Sequence, residues 1–317
     1  MNRPVLFLVG PTGSGKTDLS LCLAKRLGCE IISADSMLVY RGMNIGTAKP
    51  PTALRRKIRH HLIDLVSPSA SFSVHEHRRR SLQIIQEILK RGKLPLVVGG
   101  GGLYVNALWK GMSAHPSGDD KFRGKLNQIA KKNGLAYLYE ELRKLDPERA
   151  REIHPHDRRR IFRALEIVKV SGKTSSEWFQ NKVSLEDLGF TVQVFGIERS
   201  RGALYERINR RVEAMFRRGF FNEVKRLKRI GFSKTSGQAL GYRETLLHLR
   251  RGEKKATREL IEEIQRGTRQ FAKRQLTWFR REKEIRWISW NEGESVSLVC
   301  GKIIREAKSW LNPEPSS

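Results

Sequence analysis

Gly10-Pro11-Thr12-Gly13-Ser14-Gly15-Lys16-Thr17 lies between an apolar run over residues 5–9 and the helically spaced Leu19, Cys22, Leu23 and Leu27. The octet fits G-x-x-x-x-G-K-[ST] set between a strand and a helix. Its glycines let the backbone wrap an anion with N–H groups pointing inward. Lys16 adds a point charge, and the Thr17 hydroxyl can hold Mg²⁺. A helix starting near Lys16 aims its positive dipole end at the same place. The stretch reads as a di- or triphosphate site formed by Gly10 to Thr17. It leaves the reaction open, because nucleotide kinases, ATPases and GTPases share such a loop.

Working outward, residues 31–32, 61–65 and 94–98 are further strand candidates, and 73–90 carries helical spacing at Leu82, Ile85, Ile88 and Leu89. Alternating strands and helices argue for a parallel sheet with covering helices. The strand at 94–98 runs into four glycines, 99–102. A loop over 111–118 follows, then an almost wholly helical stretch over 119–172. A strand at 191–197, helices at 201–227, 238–250 and 255–281, a strand-like piece at 285–290, a helix at 298–311 and an unstructured tail at 312–317 complete the reading. The predicted fold is α/β: a P-loop NTPase-like parallel-sheet core over 1–116 and 189–317, a helical insertion over 117–188 and a helix-rich C-terminal part.

Composition narrows the function. The 317 residues hold 62 Lys plus Arg against 33 Asp plus Glu, a net charge of +29, with 38% hydrophobic residues. A disordered tail protein does not fit that apolar content. Three cysteines without a C-x-x-C exclude a disulfide scaffold and the usual zinc pairs. No apolar run approaches the length of a membrane span, and the five residues 5–9 are too short for a signal peptide. A soluble cytoplasmic protein is expected. Its charge points to a polyanion partner, usually nucleic acid, against the plainer reading of a solvated basic surface.

Asp35 follows the second strand, and in a doubly wound sheet such positions face the ligand crevice. A carboxylate beside phosphates would ligate Mg²⁺ or act as a general base, unless it only caps a turn. His75-Glu76-His77 and His154-Pro155-His156-Asp157 lack ligand spacing and are read as ordinary residues. Cys22 and Cys29, taken as one helix, read as core or neutral surface. Three segments are candidates for facing RNA: Arg158 to Arg163, Gln238 to Arg243, and the basic run Arg266, Arg269, Lys273, Arg274, Arg280 and Arg281. Of the aromatics in that last run, Phe271, Trp278 and Phe279, the latter two are read as core.

At this point an ordered set of motifs resembles the tRNA dimethylallyltransferases. It comprises Gly10 to Thr17, Asp35-Ser36 with Val39-Tyr40, Ile45-Gly46-Thr47-Ala48-Lys49-Pro50 and His60-His61-Leu62-Ile63-Asp64. Val98-Gly99-Gly100 with Gly102-Leu103-Tyr104, Ile153-His154-Pro155 with Asp157, Arg163-Ala164-Leu165-Glu166 and Gly241-Tyr242-Arg243-Glu244 follow. Thr268-Arg269-Gln270, Ala272 to Gln275 and Thr277-Trp278 complete it.

The resemblance implies transfer of a dimethylallyl group from dimethylallyl diphosphate to N6 of the adenine just 3′ of the anticodon, in tRNAs reading codons that start with U. The chemistry asks for a base and for cations. Asp35 is expected to be the base, and Lys16, with Mg²⁺ on Thr17, to hold the diphosphate. The resemblance adds Arg211 on that diphosphate. It also implies that Asp35, Ser36, Met37, Leu38, Gly101, Arg123, Arg159, Arg160, Ile161, Phe162, Arg163, Gln238, Ala239, Leu240, Gly241, Tyr242 and Arg243 border the tRNA anticodon stem-loop. Two positions depart from the family pattern: Gly101 stands where Thr is usual, removing a hydroxyl that meets the tRNA, and Leu38 where Gln is common. A monomer with no membrane association is expected.

Overall fold

The computed structural model describes residues 3–113, 118–180 and 182–311. The tail expected to be unstructured, 312–317, and the middle of the loop read over 111–118 lie outside those residues. Two compact units are present: Met1–Trp109 with Leu185–Ser317, and Lys110–Ser184.

In the first unit, β1 (Pro4–Val9), α1 (Lys16–Leu27), β2 (Cys29–Ser33), α2 (Thr52–Lys57), β3 (His60–His61), α3 (Val74–Lys90), β4 (Leu94–Gly99) and α4 (Gly102–Trp109) come first. The second unit holds α5 (Asp120–Leu145), α6 (Pro147–Glu152), α7 (Arg158–Ser171) and α8 (Ser175–Gln180). The first unit resumes with β5 (Thr191–Glu198), α9 (Arg201–Arg217), α10 (Phe220–Ile230), α11 (Tyr242–Arg250), α12 (Arg258–Phe279), β6 (Arg286–Ser289) and α13 (Val296–Leu311).

The six strands form one sheet in the order β3-β2-β4-β1-β5-β6, with every pairing parallel. Strand β1 shows why its sequence is apolar without alternation. Val5, Phe7 and Val9 enter the core on one face, with residues of α3, α4, α10 and α12, whereas Leu6 and Leu8 enter the other, with residues of α1 and α13. A strand covered on both faces has no polar side to show. The chain leaves β1 for β2 on one side and later joins β5 on the other. The carboxyl end of β1 therefore opens on the crevice where such sheets bind ligands.

Three details differ from the sequence reading. The strand expected over 61–65 is only His60–His61, because Leu62 and Asp64 take left-handed φ of 61° and 57° and turn the chain away. The helix expected over 201–227 breaks at Gly219, whose φ of 88° starts α10 afresh. Cys29 opens strand β2 and is not on α1; it is buried, whereas Cys22 is half-buried. The first unit yields to the second at 109/110 and resumes at 184/185. The Leu185 N–H bonds the Trp109 carbonyl at 2.9 Å, which draws both junctions into the first unit's core. The sequence reading puts the junctions at 116/117 and 188/189, the first of them outside the described residues.

The second unit has its own core, in which Leu126, Leu138, Leu142, Ile153 and Ile161 are buried. Asp119, Asp146 and Asp157 cap α5, α6 and α7 by accepting backbone N–H bonds. Among the described residues no helix is long and apolar enough to cross a membrane.

Candidate functional site

The loop between β1 and α1 is held by cationic side chains that meet its carbonyls and one of its hydroxyls. Lys16 Nζ donates to Gly10 O at 2.8 Å and Pro11 O at 2.7 Å. Arg207 Nε donates to Gly13 O and Arg199 Nε to Ser14 O, each at 2.9 Å. Arg199 also stacks on Trp290, 3.9 Å from ring centre. Arg211 Nη1 donates to Thr12 Oγ1 at 3.2 Å. With those carbonyls paired, the amides of α1's first turn, without partners inside the helix, remain to meet an anion.

That loop forms one wall of a cavity of about 810 Å³ lined by Thr12, Gly13, Gly15, Lys16, Thr17, Asp35 and Arg211, among others. Asp35 sits just past β2, and its Oδ1 accepts the Met37 N–H at 2.7 Å, which fixes the carboxylate at the crevice. Ser36, Met37 and Leu38 continue that wall. Opposite, Gly46, Thr47 and Ala48 line the cavity, and Thr47 O accepts from Arg211 Nη2 at 3.5 Å. A buried carboxylate holds this turn. Glu223 accepts from the N–H groups of Asn44, Ile45 and Gly46 and from Tyr242 Oη at 2.6 Å. Tyr242 belongs to the wall formed by Gln238, Ala239, Leu240 and Arg243. Glu223 thus joins two walls.

The four glycines after β4 make a third contact surface. A Cβ on Gly99 would lie 2.5 Å from Ala34 O, on Gly100 2.8 Å from Gln275 Nε2, and on Gly102 2.4 Å from the Trp278 ring. Only at Gly101 is there room, the nearest atom being Ala34 O at 3.9 Å. Close backbone approach explains three of the glycines but not Gly101. Gln275 on α12 ties this turn to the phosphate loop, since its Oε1 accepts the Thr12 N–H at 2.8 Å and its Nε2 donates to Gly100 O at 2.6 Å.

The electrostatics suit an anion beside a carboxylate. Burial holds Lys16 down at about 7; the Arg211 guanidinium lowers it further and the Asp35 carboxylate partly offsets both. Burial also lowers Arg211, again offset by Asp35. Arg199 is lowered to about 10 by burial and by Arg207. Two desolvated cations, Lys16 and Arg211, and the Asp35 carboxylate line the cavity where a negative ligand would repay their loss of water.

Of the predicted diphosphate residues, Thr12, Gly13, Gly15, Lys16 and Thr17 line the cavity. Gly10, Pro11 and Ser14 do not. They are buried beneath the loop, where the Ser14 N–H bonds Pro11 O at 3.3 Å. Gly101 and the 238–243 residues Gln238, Ala239, Leu240, Tyr242 and Arg243 line it too; Gly241 is buried behind them.

Arg123, Arg159, Arg160, Ile161, Phe162 and Arg163 lie in the second unit. Arg159 and Arg160 are exposed there, but Ile161 and Phe162 point into that unit's core, so their side chains are corrected from RNA contacts to packing. Arg123 and Arg163 are both bound to the fully buried Glu166, at 2.8 Å and 2.5 Å; burial raises that carboxyl, and the hydrogen bonds from the two arginines outweigh it and hold it below its ordinary value. His77 is a core histidine: its Nε2 meets Ser33 O at 2.8 Å and its ring lies edge-on to Tyr104. Phe279 is fully buried and Trp278 half-buried on Gly102.

The sequence reading assigned no site role to Gln275, Glu223, Arg207 or Arg199. Gln275 stands inside a motif quoted above, and that is the only signal it carried.

A family profile described as IPP transferase matches residues 38–282. The chain belongs to that family. Within it, the tRNA dimethylallyltransferase of Pelotomaculum thermopropionicum is 42% identical over 306 residues, covering 96% of this chain and 96% of the relative. The full-length tRNA isopentenylpyrophosphate transferase of Bacillus halodurans has a similar structure, with a TM-score of 0.70 and 38% identity over 98% of this chain and 99% of that one. A eukaryotic dimethylallyltransferase solved acting on tRNA superposes with a TM-score of 0.79 at 28% identity, covering 98% of this chain and 80% of that one. The family is one of prenyl-transferring enzymes, and this member is an enzyme with the α/β core those structures share.

Proposed function

We propose that this enzyme transfers a dimethylallyl group from dimethylallyl diphosphate to N6 of the adenine 3′-adjacent to the anticodon, in tRNAs reading codons that begin with U. The observation that carries the reading is that one cavity is lined by the phosphate loop, Arg211 and the Asp35 carboxylate together. The exocyclic amine of adenine is a weak nucleophile, because its lone pair is delocalised into the ring. It must lose a proton as the new C–N bond forms and the allylic C–O bond breaks. Asp35 accepts that proton. The loop amides, Lys16 and Arg211 hold the departing diphosphate, on which charge grows.

The Thr17 hydroxyl is exposed at the start of α1 and lines the same cavity as Asp35, and hard oxygen donors of this kind suit Mg²⁺. Bound there, Mg²⁺ supplies further positive charge to the diphosphate. The adenine must leave its stack to reach the cavity. Gln238, Ala239, Leu240, Tyr242, Arg243, Gly101 and the wall from Asp35 to Leu38 receive it, while the exposed Arg159 and Arg160 of the helical insertion contact tRNA phosphates. Arg123 and Arg163 act there through Glu166. The enzyme works as a monomer in the cytoplasm.

The test is incubation with dimethylallyl diphosphate, Mg²⁺ and unmodified tRNA, followed by mass spectrometry of the anticodon loop. The expected result is gain of one five-carbon prenyl unit on the adenine. Consumption of the donor without any gain on RNA would overturn the reading.

A further inference from the structure

Ten large hydrophobic side chains are exposed among the described residues, and of these only Phe271, at 38% exposure, lines the cavity. Its place on α12 explains why. Leu260, Ile264, Thr268, Ala272, Gln275 and Phe279 form the buried face of that helix. Phe271 lies two turns after Ile264 on that same face, one turn from Gly267 and two turns from Trp278, yet stays exposed because the cavity and not the core lies in front of it. Gly267 abuts the Leu240 side chain, and Trp278 covers Gly102. The helix is therefore closed against the 238–243 wall below Phe271 and against the glycine turn above it. Between those two contacts Phe271 and Arg274 line the cavity.

Packing gives no reason for an aromatic there, because the ring joins none of the hydrophobic clusters of the described residues. The neighbouring side chains suggest what it meets. Gln270, Lys273 and Arg274 are exposed on the same turns, and the Arg274 guanidinium lies 6.0 Å from the ring centre. An exposed ring flanked by cations is the arrangement by which proteins hold single-stranded nucleic acid: the base stacks on the ring and the phosphate meets the cation.

We propose that Phe271 is the stacking platform for an unpaired base flanking the acceptor adenine, with Arg274 holding the adjoining phosphate. The inference rests on the reading of the acceptor as tRNA. It adds a residue that steadies the RNA at the mouth while the adenine itself occupies the cavity.

The variants F271A, F271L and F271W are compared on an anticodon stem-loop with dimethylallyl diphosphate. Because Phe271 is outside the core, their thermal unfolding is expected to match the parent, which is checked first. F271A is expected to raise KM for RNA about tenfold, in line with the loss of one stacked base, with KM for the donor unchanged. F271W is expected to restore it and F271L, apolar but unable to stack, not to. 2-Aminopurine placed in turn on each side of the acceptor adenine is expected to be quenched at one position, and that quenching is lost in F271A and F271L.

An F271L variant indistinguishable from the parent, a change confined to donor KM, or 2-aminopurine emission independent of residue 271 would each overturn the proposal. If the parent enzyme prenylates no RNA at all, the functional reading fails instead, so the two failures are distinct.

Discussion

Lys16 makes a pH dependence that can be measured without turnover. In the free protein its ammonium is held at about 7, because it is buried and faces Arg211, with Asp35 only partly compensating. At pH 8 such a group is roughly nine-tenths neutral. A diphosphate in the loop places negative charge beside it and favours the ammonium. Binding at pH 8 must then take up close to one proton. By linkage, affinity falls as pH rises, about tenfold per unit above 8, until the pKa of the bound state is reached. The diphosphate is itself fully ionised in that range, so the uptake belongs to the protein.

The assay is calorimetric titration of a non-reactive diphosphate analogue at pH 8 in two buffers of different ionisation enthalpy. The difference between the observed enthalpies gives the protons taken up, expected near 0.9 on this arithmetic. Lys16→Arg keeps its charge throughout and is expected to bind with no uptake. A binding enthalpy that does not change with buffer would refute the reasoning, whatever the affinity.

Other outcomes follow from the same walls. Asp35→Asn keeps the Oδ1 that accepts the Met37 N–H, so donor binding is expected to survive while transfer falls by about 10²-fold or more; near-normal turnover would remove Asp35 as the base. Gln275→Leu strands the buried Gly100 carbonyl and frees the Thr12 N–H to the cavity, and urea unfolding should show a loss of about 1–3 kcal/mol with weaker donor binding; unchanged stability would count against the strut. Gly102→Ala drives a methyl into the Trp278 ring and should cost about 1–3 kcal/mol, whereas Gly101→Ala meets open space and should stay within about 0.5 kcal/mol; thermal melts of the two variants decide it.

The phosphate loop and its flanking elements were legible because their signals are local. A covered strand, a glycine loop and a helix start occupy residues 4–27 without a break. The residues that brace the cavity's walls, Gln275 and Glu223, were not legible as such. Gln275 meets Thr12 across 263 positions of sequence, and Glu223 meets Asn44 across 179. A glutamine on a helix or a glutamate near a basic run reads as surface until the fold shows a backbone amide in front of it.

The same limit explains the insertion motif. Arg158 to Arg163 reads as one basic cluster, yet helical spacing turns Ile161 and Phe162 inward and sends Arg163 to Glu166. Only the part of the cluster on the outer face stays available. The third strand is shorter than its sequence suggests for a different reason. The short apolar run His61 to Leu65 suits a strand, but two left-handed residues, Leu62 and Asp64, interrupt it, and an apolar run alone does not reveal them.

The bond from Leu185 to Trp109 has a consequence for how such a chain can be rebuilt. Trp109 is nearly fully buried, its indole N–H is held by Glu186 at 2.9 Å, and its carbonyl receives the Leu185 amide. Both cut ends of the core are therefore pinned side by side, with the 110–184 segment leaving and returning at a single point. In the vocabulary of protein engineering this is a cassette site. A linker of a few residues could bridge it without stretching any strand, and a helical module from another source could be spliced into the same place. Strand β4 pairs with β1 and β2, and β5 with β1 and β6, all inside the first unit, so the sheet's register is set without the cassette.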